Sequence, residues 1–286
     1  MTYDADLLDR YLSRIGYRGE RAPTLAVLRE LHRLHPLAIP FENLDPFAGR
    51  RVAIDIDSIV AKLVDQRRGG YCFEHNTLFA HVLTCFGFCV TPLAARVLFG
   101  RSSGAVTPRT HMLLRVDIDG VPWIADVGFG GVTLCAPLAL LSRDAQPTPH
   151  EPARIDGKND GKSAENSADS AYTLSVKTGD EWKRVYCFDM RRTEPVDHEV
   201  SNWYTSTSPD ALFTNHLLAC RPLPEGRATL FNDRYSECDL QWRRRERTLG
   251  SARELAACLR ERFGIDTDGF DIDELHARVT GRGASI

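Results

Sequence analysis

Apolar residues recur every three or four positions near the start of the chain, which is the spacing of an amphipathic helix. A first helix is predicted over residues 4–15, where the large apolar side chains share one face: Leu7, Leu8, Tyr11, Leu12 and Ile15. A second helix is predicted over residues 24–35, and Thr24, which follows a proline, is its expected N-cap. The chain is therefore expected to begin with packed helices.

The same period continues in two further helices before the pattern changes. One helix is predicted over residues 55–66, with Asp57 or Ser58 as its cap, and two arginines and two glycines follow it. The next helix begins at about Cys72 and ends near Gly87. The N-terminal third of the chain is thus predicted to be helical.

In the middle of the chain the apolar runs become short and rich in β-branched or aromatic residues, as in antiparallel strands. Asp119-Gly120 is a preferred two-residue hairpin turn, and a second hairpin is predicted to turn at Gly179. This region is expected to form either a barrel or a sandwich. Helices are predicted again over residues 251–264 and 271–279. Helices followed by strands and a helical tail indicate an α+β fold of more than one unit.

Residues 142–171 interrupt the pattern of strands. They contain few large apolar side chains and many glycines, prolines, serines and charged residues. Such a segment buries too little surface to order itself, so a flexible insertion between two strands is predicted. The chain contains no GxGxxG motif and no P-loop, and a nucleotide-binding fold based on those motifs is not supported.

Composition and charge exclude several classes of partner. The 286 residues carry 36 Lys and Arg against 39 Asp and Glu, a formal net charge of −3. This balance gives no basic footprint for nucleic acid or an anionic membrane, and the run WRRRER at 242–247 is interpreted as a solvated face. No stretch approaches the roughly 20 apolar residues of a membrane helix, and the N-terminus lacks the pattern of a secretory signal. A cytoplasmic protein is expected.

The eight cysteines are scattered along the chain and include no CxxC pair. Neither a disulfide framework nor a metal site is expected from that spacing. Free thiols fit a reducing compartment, and most of them are expected to be small buried apolar residues.

Cys72 differs from the other cysteines because it lies in RRGGYCFEHN, after two glycines and at the predicted start of a helix. Glycines allow a tight turn and a close approach of the backbone. A thiol in the first turn of a helix lies near unpaired N–H groups and the positive end of the helix dipole, which favour the thiolate. Cys72 is therefore a candidate nucleophile, and a cysteine buried at a helix end is the alternative.

A nucleophilic cysteine needs a base and a group that orients the base. If Asp119-Gly120 is the turn, residues whose numbers sum to 239 pair across the hairpin, and His111 lies diagonal to Asp126. Asp126 is surrounded by apolar residues and requires a partner, which an imidazole N–H supplies. His75 is a rival base, but no acid is placed to orient it, so it is interpreted as a helix-surface or supporting histidine. The order Cys, His, Asp indicates acyl transfer or hydrolysis without separating them.

Five stretches resemble the arylamine N-acetyltransferase family. Three carry the candidate catalytic residues, and two lie outside them: RGGYCFEHN (68–76), THMLL (110–114), ADVGFGG (125–131), HPLAIPFENLDP (35–46) and NWYTSTSPDALF (202–213). They occur in the family's order and at similar spacing. The resemblance implies an N-terminal helical bundle over residues 1–87, a central antiparallel β-barrel over 88–200 and a C-terminal α/β lid over 201–286, with a triad core like that of cysteine proteases.

The resemblance also implies a reaction and its contacts. Cys72, His111 and Asp126 would form the triad, and acetyl-CoA would acetylate Cys72 before an arylamine, arylhydrazine or arylhydroxylamine takes the acetyl group. The acceptor pocket would be lined by Phe41, Val97, Phe129 and Phe213. Thr110 and Gly130 would approach the pantetheine of CoA. No metal, nucleic acid or membrane is implied.

The chain departs from the family pattern in two places. Residues 142–171 contain extra sequence relative to typical bacterial members, and Tyr71 stands where many relatives have tryptophan. Two other functions share these residues: a thiol hydrolase or transglutaminase-like enzyme, and an amide synthase of the same family that closes a macrolactam. The stretches PFENLD and YTSTSP favour the acetyltransferase over the hydrolase.

Overall fold

The N-terminal helices pack around one central helix that begins at Cys72. The computed structural model describes residues 2–102, 104–157 and 172–281. The helices of this part are α1 (Thr2–Ile15), α2 (Leu25–Ala38), α3 (Leu44–Phe47), α4 (Ile56–Val60) with a π-helical continuation (Ala61–Asp65), and α5 (Cys72–Cys85). Thr24 caps α2 as predicted, its hydroxyl accepting from the Val27 N–H at 3.3 Å. The buried apolar faces of α1, α2, α4 and α5 share one core.

The predicted cap of α4 was wrong. Asp55 is the N-cap, because its carboxylate accepts a hydrogen bond from the Ser58 N–H at 2.9 Å. Asp57 and Ser58 both lie inside the helix. Two aspartates two residues apart are both plausible caps by sequence, and only the extended backbone of Asp55 places its side chain over the free N–H groups.

The middle of the chain forms a seven-stranded antiparallel sheet in the order β5-β4-β3-β2-β8-β7-β6. Its strands are β2 (Cys89–Val97), β3 (His111–Ile118), β4 (Val121–Ala125), β5 (Leu138–Ala139), β6 (Ala153–Gly157), β7 (Tyr172–Thr178) and β8 (Glu181–Phe188). Gln146 joins the two edge strands: its side chain bonds the backbone of Ala139 at 2.8 and 2.9 Å, and its backbone pairs with Ala153. The sheet thereby closes toward a barrel around a second apolar core.

The β3–β4 hairpin has the predicted register. Leu114 pairs with Ala125 and Ile118 with Val121, and both sums are 239. Asp119 and Gly120 adopt φ values of 51° and 78°, as a two-residue turn of this type requires. Residues at the open end of the hairpin are therefore close in space without any long-range contact.

Part of the predicted flexible insertion at 142–171 forms a strand, which corrects that interpretation. β6 pairs along its length with β7, and Ala153 and Ile155 are buried. Ala153 and Ile155 are two positions apart and so lie on the same face of the strand. Two such residues are enough to bury that face when the neighbouring strand supplies the rest of the core. Residues 158–171 lie outside the described residues.

The last part of the chain combines helices with a five-stranded sheet in the order β1-β9-β10-β11-β12. Its elements are α6 (Pro195–Thr207), α7 (Leu212–Asn215), β9 (Leu218–Leu223), β10 (Gly226–Phe231), β11 (Arg234–Asp239), β12 (Arg244–Thr248), α8 (Ala252–Cys258) with a π-helical continuation (Leu259–Phe263), and α9 (Ile272–Gly281). The edge strand β1 (Phe41–Glu42) comes from the N-terminal part, so Phe41 pairs with Cys220.

The fold is α+β, as predicted. The division into three units at residues 87 and 200 stays a prediction. The strand β1 lies in the first unit by sequence but pairs with a strand of the last unit. In the part of the chain that the structure describes, every helix is too short or too polar to cross a bilayer.

Candidate active site

Cys72 is the first residue of α5 and is buried, with 4% of its surface exposed. Its thiol donates to the carbonyl oxygen of Thr110 at 3.7 Å. The approach to the helix is tight, since a Cβ on Gly69 would lie 2.1 Å from the Pro40 carbonyl oxygen. The glycines before Cys72 thus let the chain pass against residue 40 and place the sulfur at the free N-terminus of a helix.

An ion-paired acid holds the first turn of α5. Glu74 accepts the Tyr71 N–H at 3.0 Å, and its other oxygen lies 2.7 Å from the ammonium of Lys62. Burial raises the pKa of Glu74, and Lys62 opposes that effect without cancelling it. The backbone that carries Cys72 is therefore anchored to the helix α4 region.

Arg68 completes this buried cluster by pairing with Glu42 at 2.6 Å and with Asp45 at 3.1 Å. Arg68→Met should lower the free energy of unfolding by about 3–5 kcal/mol, because the fully buried Glu42 would lose its cation. Chemical denaturation measures the change. In the matched control Arg192→Met, which breaks the exposed pair with Glu194, we expect a loss of about 0–1 kcal/mol. Equal losses in the two variants would contradict a structural role for the cluster.

His111 lies at the start of β3, and its Nε2 is 2.7 Å from Oδ2 of Asp126. Both side chains are buried, with exposures of 3% and 0%. Burial alone would lower the pKa of His111, but the charge of Asp126 and then the interaction with Cys72 raise it to about 10. The charged imidazole therefore stabilises the fold fully below its unfolded pKa, and this stability is lost as the pH rises through about 10. Nδ1 remains as the ring nitrogen for Cys72.

Asp126 is held by hydrogen bonds to its side chain and to its backbone. Its Oδ1 accepts from the Asn76 amide and from the Gly128 N–H, each at 3.0 Å, and its own N–H donates to Nε2 of His32 at 3.1 Å. Burial raises the pKa of Asp126, but His111 and the donors outweigh burial and keep the pKa below its usual range. The diagonal contact between His111 and Asp126 that the hairpin predicts is present.

Sequence reasoning missed Asn76 and His32. Asn76 follows Cys72 by four residues, so the two share one face of α5, and that spacing was the available signal. His32 occupies a core position of α2 next to Leu28 and Leu31, where a polar residue in an apolar stripe signals a buried hydrogen bond.

The predicted acceptor residues Phe41 and Phe213 meet, with ring centres 5.7 Å apart. Phe213 also lies 5.4 Å from the ring of Tyr71. Gly130 adopts a φ of 99°, and a Cβ there would lie 3.4 Å from the ring of Phe41. These residues come from four separate parts of the sequence and form one apolar wall beside the start of α5.

Phe129 and Val97 lie on the barrel side of the site. The ring of Phe129 is 5.2 Å from that of His111, and the ring of Tyr186 lies 4.9 Å from His111 and 5.6 Å from Phe129. Val97 joins this group as the strand partner of Tyr186. Thr110 precedes His111 directly and contributes the carbonyl that accepts from Cys72. Of the predicted site residues, Thr110 and His111 interact directly with Cys72.

Gly128, in the loop after β4, packs tightly against α5. A Cβ there would lie 2.9 Å from the Cα of Cys72 and 2.9 Å from the Cβ of His75. Gly128→Ala should slow the reaction at Cys72 by about 100-fold, because the backbone of Cys72 would have to move. Steady-state assays measure the effect. Gly131→Ala is the matched control, since no atom lies within 4 Å of that Cβ position, and a similar loss there would contradict the steric explanation.

Buried neutral histidines make the fold sensitive to acid. Burial lowers the pKa of His32, His75 and His198 to about 4, and that of His35 further. The unfolded chain binds protons near pH 6.5 and the folded chain does not. Stability should therefore fall between pH 6.5 and about 4, by up to about 1.4 kcal/mol per pH unit for each histidine.

Denaturant midpoints at pH 7, 6 and 5 measure this slope. His198→Phe should reduce the slope of stability against pH by the contribution of one histidine. The phenylalanine ring can take the place of the imidazole, because the His198 side chain is 4% exposed and its ring lies 5.8 Å from that of Phe73. Neither ring nitrogen of His198 bonds to another described residue, so the variant removes a titrating group without removing a hydrogen bond. An unchanged slope in His198→Phe would contradict the assignment.

The chain is similar over most of its length to known N-acetyltransferases. The N-acetyltransferase family model matches residues 24–272, most of the chain. The arylamine N-acetyltransferase of Escherichia coli (strain K12) is 38% identical over 274 residues, covering 94% of each chain. The arylamine N-acetyltransferase of Mycobacterium bovis is 38% identical over 293 residues, covering 97% of this chain and 98% of that one.

A solved structure agrees in fold and in sequence. The Mycobacterium marinum arylamine N-acetyltransferase in complex with CoA superposes with a TM-score of 0.87 at 36% identity, covering 95% of this chain and 98% of that one. The chain therefore belongs to the arylamine N-acetyltransferase family. The resemblance noted from the sequence is confirmed, and so is the fold class that it implied.

Proposed function

We propose that the protein transfers an acetyl group from acetyl-CoA to an arylamine, arylhydrazine or arylhydroxylamine through a thioester on Cys72. The observation that carries the proposal is the buried Cys72 at a helix N-terminus, beside a His111 whose Nε2 lies 2.7 Å from Asp126. The M. marinum relative forms a complex with CoA, and the relatives are named for arylamines, which supports this donor and this acceptor.

In the first half-reaction the Cys72 thiolate attacks the acetyl carbonyl of acetyl-CoA. The new S–C bond forms, the S–C bond to CoA breaks, and the CoA thiolate takes a proton from the His111 imidazolium. The N–H groups of the first turn of α5 stabilise the thiolate before attack. The high pKa of His111, about 10, keeps the imidazole protonated at neutral pH until a thiolate leaves.

In the second half-reaction a neutral amine attacks the thioester. The N–C bond forms, the bond to the Cys72 sulfur breaks, and the amine proton passes to the now neutral His111. The thiolate–imidazolium pair is restored. Asp126 orients the ring through Nε2 in both steps, so that Nδ1 faces the sulfur.

The apolar walls select the acceptor and keep water from the thioester. Phe41 and Phe213 form one wall and Phe129 covers His111 on the other, so an aromatic amine gains contact area that water does not. Val97 is placed with them, and Thr110 and Gly130 are the proposed contacts of the pantetheine. No metal takes part in this scheme.

We also propose a cytoplasmic location. All eight cysteines lie within the described residues and are free thiols, as a reducing compartment requires. Each of the three predicted units contributes residues to the proposed site. The bundle supplies Cys72, the barrel supplies His111 and Asp126, and the lid supplies Phe213.

The test is the intact mass of the protein after brief exposure to acetyl-CoA without acceptor, followed by peptide mapping. One acetyl group on Cys72 is expected, discharged rapidly by an arylamine and slowly by water. Rapid discharge by water would favour a hydrolase. Absence of an adduct on a protein whose Cys72 is still alkylated would overturn acetyl-CoA as donor and bring forward the amide synthase.

A further inference from the structure

A chain of hydrogen bonds runs through the bundle to the wall of the proposed acceptor pocket. The Tyr11 hydroxyl lies 2.8 Å from Nδ1 of His35, and Nε2 of His35 lies 2.9 Å from Nδ1 of His75. Nε2 of His75 lies 3.1 Å from the carbonyl oxygen of Pro40. Tyr11, His35 and His75 are all buried, which excludes the surface position that the sequence allowed for His75.

The end of the chain fixes the direction of every bond. A carbonyl only accepts, so His75 carries its proton on Nε2 and accepts at Nδ1 from His35. His35 then carries its proton on Nε2 and accepts from the Tyr11 hydroxyl. Burial lowers the pKa of His75 to about 4 and that of His35 further, so the chain stays neutral at pH 7. His75 is therefore locked as a donor to Pro40.

His75 also touches the elements that carry the site. Its ring stacks on Phe41 with a 10° angle between planes and centres 6.5 Å apart. It follows Cys72 by one helical turn, and Gly128 packs against its Cβ. The Pro40 carbonyl accepts a second bond, from the Gly70 N–H at 3.3 Å. The Glu42 N–H donates to the Gly70 carbonyl at 2.8 Å, so the segment of Pro40 and Phe41 is tied to the chain at the start of α5 by two backbone bonds and by the side-chain bond of His75.

We propose that His75 is a positioning residue, which holds Phe41 against the acceptor site by donating to Pro40 and thereby governs the reaction with aromatic acceptors. Formation of the thioester does not depend on it. The inference rests on the proposed function and assigns a residue to acceptor specificity within it.

Two substitutions separate the two bonds of His75. Asparagine keeps an acceptor near the position of Nδ1 and loses the donor to Pro40, whereas glutamine keeps a donor near the position of Nε2. The acetylated enzyme is prepared with acetyl-CoA, and its discharge is timed with an arylamine and, separately, with hydroxylamine. Hydroxylamine has no ring to contact Phe41, so it reports the thioester alone.

In His75→Asn we expect discharge by the arylamine to slow by about 10-fold. A 10-fold change in rate corresponds to the free energy that about one hydrogen bond contributes. Discharge by hydroxylamine and the rate of acetylation should stay within about twofold of the wild type. His75→Gln should keep most of the arylamine rate. A purely structural role would slow all three reactions together, and that result, or equal effects of Asn and Gln, would overturn the proposal.

A measurement on the unaltered protein keeps the proposal testable if a variant does not fold. Nitrogen-15 NMR of the histidine rings should show His75 neutral at pH 7 with its proton on Nε2. A proton on Nδ1 would overturn the proposal. Failure of the proposed function gives a different result, since the wild type would then form no acetyl-Cys72 at all.

Discussion

Cys72→Ser is expected to abolish acetyl transfer and to leave the fold intact. A serine hydroxyl at this position does not ionise near neutral pH, so the nucleophile is lost, and a fall of at least about 1000-fold in turnover is expected. The oxygen fits the space of the sulfur and keeps the donor to Thr110. Turnover, intact mass after acetyl-CoA, and the denaturant midpoint measure the three parts of this prediction.

The other thiols provide the controls. Cys89→Ser changes an exposed cysteine on the first barrel strand and should leave turnover unchanged. Burial raises the pKa of Cys135 to about 11 and that of Cys220 to about 12, so these thiols stay protonated and should resist iodoacetamide. An acetyl group that still appears on the Cys72→Ser protein would contradict the assignment of the nucleophile.

The pairing of His111 with Asp126 was predictable because it is local. The turn at Asp119-Gly120 fixes the register, and the register brings the two side chains together. The approach of Cys72 to this pair was not predictable from pattern, since it joins a helix to a strand 38 residues away at Thr110. That contact depends on how two units pack, and only the family resemblance indicated it.

The residues around the proposed triad could not be predicted either, because their partners also lie in other elements. Lys62, Glu74 and Asn76 have the composition of a helix surface, but all three are turned into the protein and paired there. Buried polar residues are stable only with partners, and the partners lie in other elements, as Asn202 does for the hydroxyl of Tyr71. A single sequence shows the side chain and not the partner.

Asp126→Asn is expected to remove nearly all activity while leaving the nucleophile in place. The Asn76 amide and the Gly128 N–H both donate to Oδ1, so the new carbonyl oxygen stays there and the new NH₂ faces His111. Nε2 must then accept, which moves the proton to Nδ1 and removes the base from the sulfur. A loss of about 10³–10⁴-fold follows from the wrong tautomer, as in other triads.

The pH dependence separates this explanation from simple damage to the fold. Asp126 is the first of the groups that raise the pKa of His111, so in Asp126→Asn that pKa should fall from about 10, which nitrogen-15 NMR of the His111 ring at a series of pH values measures. Asp117→Asn changes an acid on β3, the strand that carries His111; this acid pairs with Arg115 at 2.7 Å, and the variant should leave the pKa of His111 unchanged. An unchanged pKa of His111 in Asp126→Asn would show that His111 holds its proton without Asp126. The acid would then serve to anchor the loop at Gly128 to α5, because its Oδ1 accepts from the Gly128 N–H and from the Asn76 amide.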